Sequence, residues 1–163
     1  MVAFRWLWVS LWAICAAPAF AEPKQLVWLD ARDGYGRPFQ MEQMRGQVVA
    51  VTFASRYTRA EASRINDALA NRDARVISVI DFTGIPSMFH RYAKRKVAEH
   101  DQPDRIRHLV DARGALRQLF GVDPVRRVDI LLIDREGALR GRYCGETQLK
   151  EALKLLAELT TST

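Results

Sequence analysis

The chain has 163 residues, of which 48% are hydrophobic, with nine glycines and six prolines. This length suits one domain with a buried core, and the composition excludes a disordered, collagen-like or low-complexity protein. The formal net charge of +6 is moderate and indicates solubility and affinity for an acidic partner.

The first 21 residues have the pattern of a secretory signal peptide. Arg5 is their only charged residue, an apolar run follows it, and Ala19-Phe20-Ala21 fits a cleavage site before Glu22. We therefore expect residues 22–163 to form one exported domain, periplasmic or secreted. The alternative is an uncleaved membrane anchor, although the apolar run is short for a membrane-spanning helix.

Cleavage after Ala21 leaves Cys144 as the only cysteine, because Cys15 lies in the leader. An exported domain with one cysteine has no internal disulfide, so its stability must come from its core. The loss of Arg5 lowers the net charge from +6 to +5. Since exported proteins rarely meet nucleic acid, we expect no nucleic-acid binding and instead an envelope protein or an anionic ligand as partner.

The first half of the mature chain predicts two strands, a helical turn and a helix. Gln25 to Leu29 predicts a short strand before a glycine-rich turn region, and Gln40 to Arg45 predicts a helical turn stopped by Gly46. Val48 to Phe53 is an unbroken run of mostly β-branched residues, typical of a strand buried on both faces. Ala60 to Leu69 has the apolar spacing of an amphipathic helix.

The second half predicts alternating strands and helices that end in a hairpin and a helix. In chain order these are a strand at Arg75–Ile80, a helix at Ser87–Glu99, a strand at Ile106–Val110, a short helix at Ala112–Phe120, a hairpin of Asp129–Ile133 and Ala138–Tyr143, and a helix at Leu149–Leu159. Such an order predicts an α/β fold with a mixed central sheet and helices on both faces.

Three segments carry motifs that occur together in one group of proteins. Asp33 to Val51 forms a hairpin, a turn and a strand, Leu109 to Val122 has the pattern D-x-x-G … F-G-V, and Ile130 to Gly137 has the pattern of an F-L-I-D-x-x-G hairpin. In this order they resemble the thioredoxin-like superfamily, especially its exported thiol-oxidoreductase and peroxiredoxin-like branches. The resemblance spans about residues 26–159 and implies a three-layer thioredoxin-like fold.

The resemblance also locates the superfamily's chemistry. There, a Cys-x-x-Cys pair or a single peroxidatic cysteine follows the first central strand at a helix N-terminus, where the thiol pKa is lowered. The matching positions of this chain are Tyr57 and Ala60, which provide no thiolate. We therefore expect a redox-inactive binding or scaffold protein of the cell envelope, without a cofactor. The alternative is a thiol-disulfide oxidoreductase or peroxidase-like enzyme that uses Cys144.

Two further features of the matching loops carry predictions. Thr58 and Glu61 fit a capping box, in which the Thr58 side chain accepts from the Glu61 amide and Glu61 accepts from the Thr58 amide. Thr58 as a nucleophile is the alternative, but no base is adjacent in the sequence. The superfamily's cis-proline position falls on Val128, and Pro124 lies nearby. We expect a trans bond before Val128, because a non-proline cis bond costs about 3 kcal/mol.

Arginines stand in both loops that the resemblance brings to one end of the sheet, beside a helix N-terminus. Such an arrangement can bind an anion, and the alternative is that these arginines are only solvated surface charges. The candidate binding residues are Arg56, Tyr57, Thr58, Arg59, Arg126 and Arg127.

The densest basic run, His90 to Lys96, lies on a predicted helix. We expect Phe89, Ala93 and Val97 to face the core, so that the charges form a solvated face or a docking surface for an acidic partner.

The remaining candidate reactive or metal-binding residues are one cysteine and three histidines. Cys144 ends a predicted strand, where it is either a small apolar residue or a reactive thiol. The three histidines, His90, His100 and His108, lack a metal-ligand spacing, and no metal site is expected.

Overall fold

The structure, a computed structural model, describes residues 31–72, 74–100, 102 and 104–161. The predicted signal peptide and the strand predicted at Gln25–Leu29 lie outside the described residues. Within the described part of the chain, no helix is long and apolar enough to span a membrane.

The described residues contain seven strands and four α-helices. The strands are β1 (Ala31–Asp33), β2 (Pro38–Phe39), β3 (Val49–Ser55), β4 (Arg75–Asp81), β5 (Ile106–Asp111), β6 (Asp129–Ile133) and β7 (Leu139–Cys144). The helices are α1 (Arg59–Ala70), α2 (His90–Ala98), α3 (Ala115–Phe120) and α4 (Leu149–Thr161). Single 3-10 turns at Met41–Met44, Ser87–Phe89 and Glu146–Gln148 precede β3, α2 and α4.

All strands form one mixed sheet in the order β2-β1-β5-β4-β3-β6-β7. The central strands β3, β4 and β5 are parallel, whereas β6 lies antiparallel to β3 and β7 antiparallel to β6. The predicted mixed sheet with a final antiparallel pair is therefore confirmed. Ala31–Asp33, which follows the strand predicted at Gln25–Leu29, forms the short strand β1 and pairs with both β2 and β5.

Both faces of the sheet are covered, as the uninterrupted apolar run of β3 predicts. On one face Phe53 packs with Leu116 and Phe120 of α3. On the other face Ile65 of α1 and Leu156 of α4 cover the sheet. Because α1 follows β3 directly, the end of β3 and the start of α1 lie at one end of the sheet.

One packing prediction is wrong. Phe89 was expected to face the core with Ala93 and Val97, yet its side chain is 53% exposed. Phe89 belongs to the 3-10 turn Ser87–Phe89 before α2, so the α-helical spacing that links it to Ala93 does not apply. Ala93 and Val97 are half-buried.

Candidate functional site

The turn from β3 to α1 is open to solvent. Tyr57 is 64% exposed, and the Arg56 guanidinium lies 4.5 Å from the centre of its ring. Ala60, in the first turn of α1, is also exposed. The two positions that the sequence resemblance matches to the superfamily's cysteines are thus accessible, and they carry a phenol and a methyl group.

The predicted capping box at the start of α1 is wrong. Thr58 occupies the N-cap position, but its side chain makes no capping hydrogen bond. Its hydroxyl instead accepts from the Ser55 amide at 2.9 Å and donates to the Pro124 carbonyl at 3.1 Å. Thr58 is buried, and its hydroxyl is engaged by the loop before β6 rather than by its own helix.

Glu61 also points away from its own helix. Its carboxylate accepts from the backbone N–H of Val128 at 3.3 Å and from that of Glu146 at 3.2 Å. These bonds join the first turn of α1 to the segments before β6 and after β7. The S/T-x-x-E pattern was a genuine signal of a helix start, but tertiary partners replace the local ones.

The segment before β6 packs against the side of α1 that carries Thr58 and Glu61, and its peptide bonds are trans. Among the described residues there is no cis peptide bond, so the bond before Val128 is trans, as predicted. The Val128 carbonyl accepts from the Gly145 amide at 2.8 Å. The contacts of Thr58 and Glu61 with this segment show that the two loops meet at one end of the sheet.

Cys144 ends β7 on the same flank, opposite Asp129 in the β6–β7 register. Its thiol is free and half-buried, and its amide donates to the Gln148 side chain at 2.7 Å. Burial raises the pKa of the Cys144 thiol above its ordinary value, and the Asp129 carboxylate raises it further, against the opposing charge of Arg127. The thiol is therefore protonated at neutral pH, which disfavours nucleophilic chemistry.

The four arginines of the predicted binding end divide between two flanks. Arg56 and Arg59 line a pocket beside α2, whereas neither Arg126 nor Arg127 contributes to it. Both of the latter are exposed, and Arg127 lies next to Gly145 on the Cys144 flank. The structure thus brings Arg56 and Arg59 together and places Arg127 on the other side of α1.

The pocket between α1 and α2 has a volume of about 770 Å³. Its floor is the face of β3, β4 and β5 that α1 also covers. Representative lining residues are Ser78 and Ile80 on the floor, Ala62 and Asn66 on α1, and Tyr92 and Lys96 on α2.

A chain of buried polar groups reaches the pocket floor. The Thr52 hydroxyl donates to the Asn66 side-chain oxygen at 2.7 Å, and the Asn66 amide donates to the Ser78 hydroxyl at 3.0 Å. All three residues are buried. Sequence reasoning missed Asn66, although an amide beside Ile65 on the apolar face of α1 was a signal that a polar partner lies beneath.

Arg59 connects the two walls of the pocket. Its guanidinium lies 3.3 Å from Nε2 of His100, the second residue after α2, and His100 Nδ1 lies 2.8 Å from the Lys96 carbonyl. Because a carbonyl only accepts, Nδ1 carries the proton and Nε2 accepts from Arg59. The ammonium of Lys96 forms an ion pair with Glu99 at 2.6 Å.

The other two histidines have separate surroundings. His90 lies 2.8 Å from the Ile85 carbonyl and edge-on to Phe82, and His108 lies on β5 at the pocket floor. Nowhere in the described residues do three His, Cys, Asp or Glu side chains cluster closely enough to hold a metal ion.

Comparisons with known proteins identify the fold. No protein-family model matches the chain, and no curated protein matches its sequence. Several solved structures match it over most of their length. The exposed lipoprotein thioredoxin Etrx1 of Streptococcus pneumoniae has a TM-score of 0.61 at 22% identity, over 81% of this chain and 99% of that chain.

Two further structures agree. A thiol-disulfide isomerase of Corynebacterium glutamicum has a TM-score of 0.62 at 19% identity, over 83% of this chain and 95% of that chain. BsSco, a member of the Sco family of cytochrome c oxidase assembly proteins, has a TM-score of 0.60 at 15% identity, over 88% of this chain and 98% of that chain. The seven-stranded mixed sheet and these neighbours together show that the chain has a thioredoxin-like fold.

Proposed function

We propose that the protein is an exported binding protein that uses a thioredoxin-like fold without thiol–disulfide catalysis. One observation supports the proposal: the exposed turn at the start of α1 carries Tyr57 and Ala60, the positions that the sequence resemblance matches to the superfamily's cysteines. Thiol–disulfide exchange requires a thiolate as nucleophile. The one cysteine outside the leader, Cys144, is held in its protonated form by burial and a neighbouring carboxylate.

The surface around that turn supports a binding role. Exposed large side chains also occur at Met88 and Phe89, in the turn before α2, and at Tyr92 on α2, which lines the same pocket as Arg56. Aromatic residues, Met and Arg are enriched in protein interfaces. With Arg56 and Arg59 close by, the expected partner is an acidic envelope protein or an anionic ligand. The basic run His90–Lys96 extends this surface along α2.

Export is supported by the leader pattern of residues 1–21. Among the structural neighbours are an exposed lipoprotein and a secreted disulfide oxidoreductase of Mycobacterium tuberculosis. A membrane association of this chain requires that its leader be retained. Mass spectrometry of the protein from its native host tests this point: we expect Glu22 as the mature N-terminus, and a chain that starts at Met1 or Val2 contradicts cleavage.

Reductant-driven cleavage of insulin disulfides tests the absence of redox catalysis. We expect the mature protein and its Cys144→Ser variant to leave the rate at background. Acceleration that disappears in Cys144→Ser supports the enzyme alternative instead. The double variant Tyr57→Cys/Ala60→Cys is the matched gain-of-function control, because it places two thiols in Cys-x-x-Cys spacing at the start of α1, where a helix N-terminus lowers a thiol pKa.

A further inference from the structure

The pocket between α1 and α2 has the size and walls of a small-molecule site. Its volume of about 770 Å³ lies within the roughly 300–1,000 Å³ typical of ligand pockets. Apolar groups form much of the lining, including Ala62 of α1, Ile80 at the end of β4, and Phe82 beyond it. A volume of this size accepts a compact organic molecule rather than a folded partner.

The pocket floor offers hydrogen-bond donors. The side chains of Asn66 and Ser78 are 4% and 2% exposed, respectively. The Ser78 hydroxyl accepts from Asn66 and, among the described residues, has no acceptor for its own proton. The Asn66 amide likewise uses one of its two hydrogens. A ligand oxygen above this floor would accept hydrogen bonds from the Ser78 hydroxyl and from the second amide hydrogen of Asn66.

The charges along the pocket are polarised. Arg59 stands at the first turn of α1, and no carboxylate of the described residues lies within ion-pairing distance of its guanidinium. Among the described residues, Asp67 is the only acidic side chain of the lining, and it lies eight residues further along α1, which corresponds to about 12 Å of helix. Arg56 and Lys96 are further cations of the described lining, and Lys96 is partly neutralised by Glu99. The Arg59 end is thus the positive end.

From these three features we infer that the pocket binds a small amphipathic organic anion, that is, a carboxylate or sulfonate on an apolar body. The anionic group lies against Arg59 and the apolar body against Ile80 and Phe82, with a polar atom over Ser78. This inference rests on the proposed binding function and names the ligand class of one site.

A pair of fluorescent probes of nearly equal shape tests the inference. The anion 8-anilinonaphthalene-1-sulfonate is titrated into the mature protein, in parallel with neutral N-phenyl-1-naphthylamine, which lacks the sulfonate. We expect saturable 1:1 binding of the anion and at least about tenfold weaker binding of the neutral probe, because a charge-assisted hydrogen bond is lost. Equal affinity for both probes overturns the inference.

Variants locate the site. Arg59→Gln is expected to weaken binding of the anionic probe about tenfold and to leave the neutral probe unchanged. The matched control is Arg45→Gln, which removes an exposed arginine at the opposite end of β3 and should change neither affinity. Equal losses in both arginine variants indicate non-specific attraction by net charge and overturn the assignment.

Occlusion provides an independent measurement. Ala93→Trp places an indole in the pocket and should abolish saturable binding of the anionic probe, and Ser63→Phe does the same from the α1 wall if the first variant does not fold. Unchanged binding in a folded occluded variant overturns the assignment. The insulin assay uses no probe, so redox activity and absence of probe binding remain separate results.

Discussion

The two flanks of the first turn of α1 differ in what the chain does with its polar side chains. On the flank toward β6 and β7, Thr58 and Glu61 bond to backbone groups of neighbouring segments. On the flank toward α2, the Arg59 guanidinium has one hydrogen-bond partner among the described residues, the ring of His100, and Arg59 lines an open pocket. We call these the closed flank and the open flank.

Within the four residues from Thr58 to Glu61, side chains that bond to neighbouring segments alternate with the open-flank side chain of Arg59. Thr58 and Glu61 lie three apart and serve one flank, whereas Arg59 serves the other. Residues three apart share one side of a helix, and a neighbour one position away points elsewhere. Stability and binding should therefore respond to different substitutions in this turn.

The largest loss of stability is expected from Glu61→Ala on the closed flank. The substitution leaves the amides of Val128 and Glu146 without their acceptor, and we expect a loss of about 1–3 kcal/mol in the free energy of unfolding. Urea denaturation measures it. Glu136→Ala, in the exposed turn between β6 and β7, is the control and should change stability by less than about 0.5 kcal/mol. Equal effects of both substitutions would show that the closed flank is not an anchor.

The sequence predicted most of the fold, because the apolar periodicities are strong. The run Val48–Phe53 and the face of Ala62, Ile65 and Leu69 both became core. The partners of polar side chains were not predictable in the same way. Glu61 had an acceptable local partner in the Thr58 amide, and only the tertiary approach of Val128 and Glu146 decides against it.

The candidate site was predicted only in part for the same reason. The meeting of the two loops follows from the resemblance, but the side on which each arginine projects depends on the rotation of α1 and on the position of α2. The distance between α1 and α2 cannot be predicted from the spacing of residues along the chain. The pocket that Arg59 lines was therefore not predicted. Asn66 signals that pocket only after its contact with Ser78 is known.

Thr58 should show the next largest effect on stability. Thr58→Val keeps the shape but leaves the Ser55 amide and the Pro124 carbonyl without a partner, which should cost about 1–2 kcal/mol. Thr58→Ser retains the hydroxyl and should recover most of the loss. Thermal unfolding of the three proteins measures this order, and a Thr58→Ser variant at least as destabilised as Thr58→Val would contradict the assignment of the effect to the hydroxyl.

Substitution on the open flank should leave stability almost unchanged. Arg59→Gln removes an exposed guanidinium whose partner is one imidazole nitrogen, so we expect a change within about 0.5 kcal/mol. The same urea experiment as for Glu61 gives the comparison. A loss of about 2 kcal/mol in Arg59→Gln would show that the open flank also anchors the fold, and the contrast between the flanks would fail.

The smallest effect concerns the reactivity of Cys144, which reports the electrostatics of the closed flank. Because burial and the Asp129 carboxylate raise the pKa of this thiol, alkylation of the mature protein by iodoacetamide should be slower at pH 7.5 than that of a free thiol. The rate should rise with pH and reach half its maximum at a pH above the pKa of a free cysteine.

Arg127 opposes the rise in the pKa of Cys144, so Arg127→Gln should raise the thiol pKa further and slow alkylation at fixed pH. Arg126→Gln is the control, since it removes the same charge from the preceding residue, and it should leave the rate near that of the parent protein. If both variants slow the reaction equally, the thiol senses only net charge, and the specific arrangement of Arg127 and Cys144 on the closed flank is wrong.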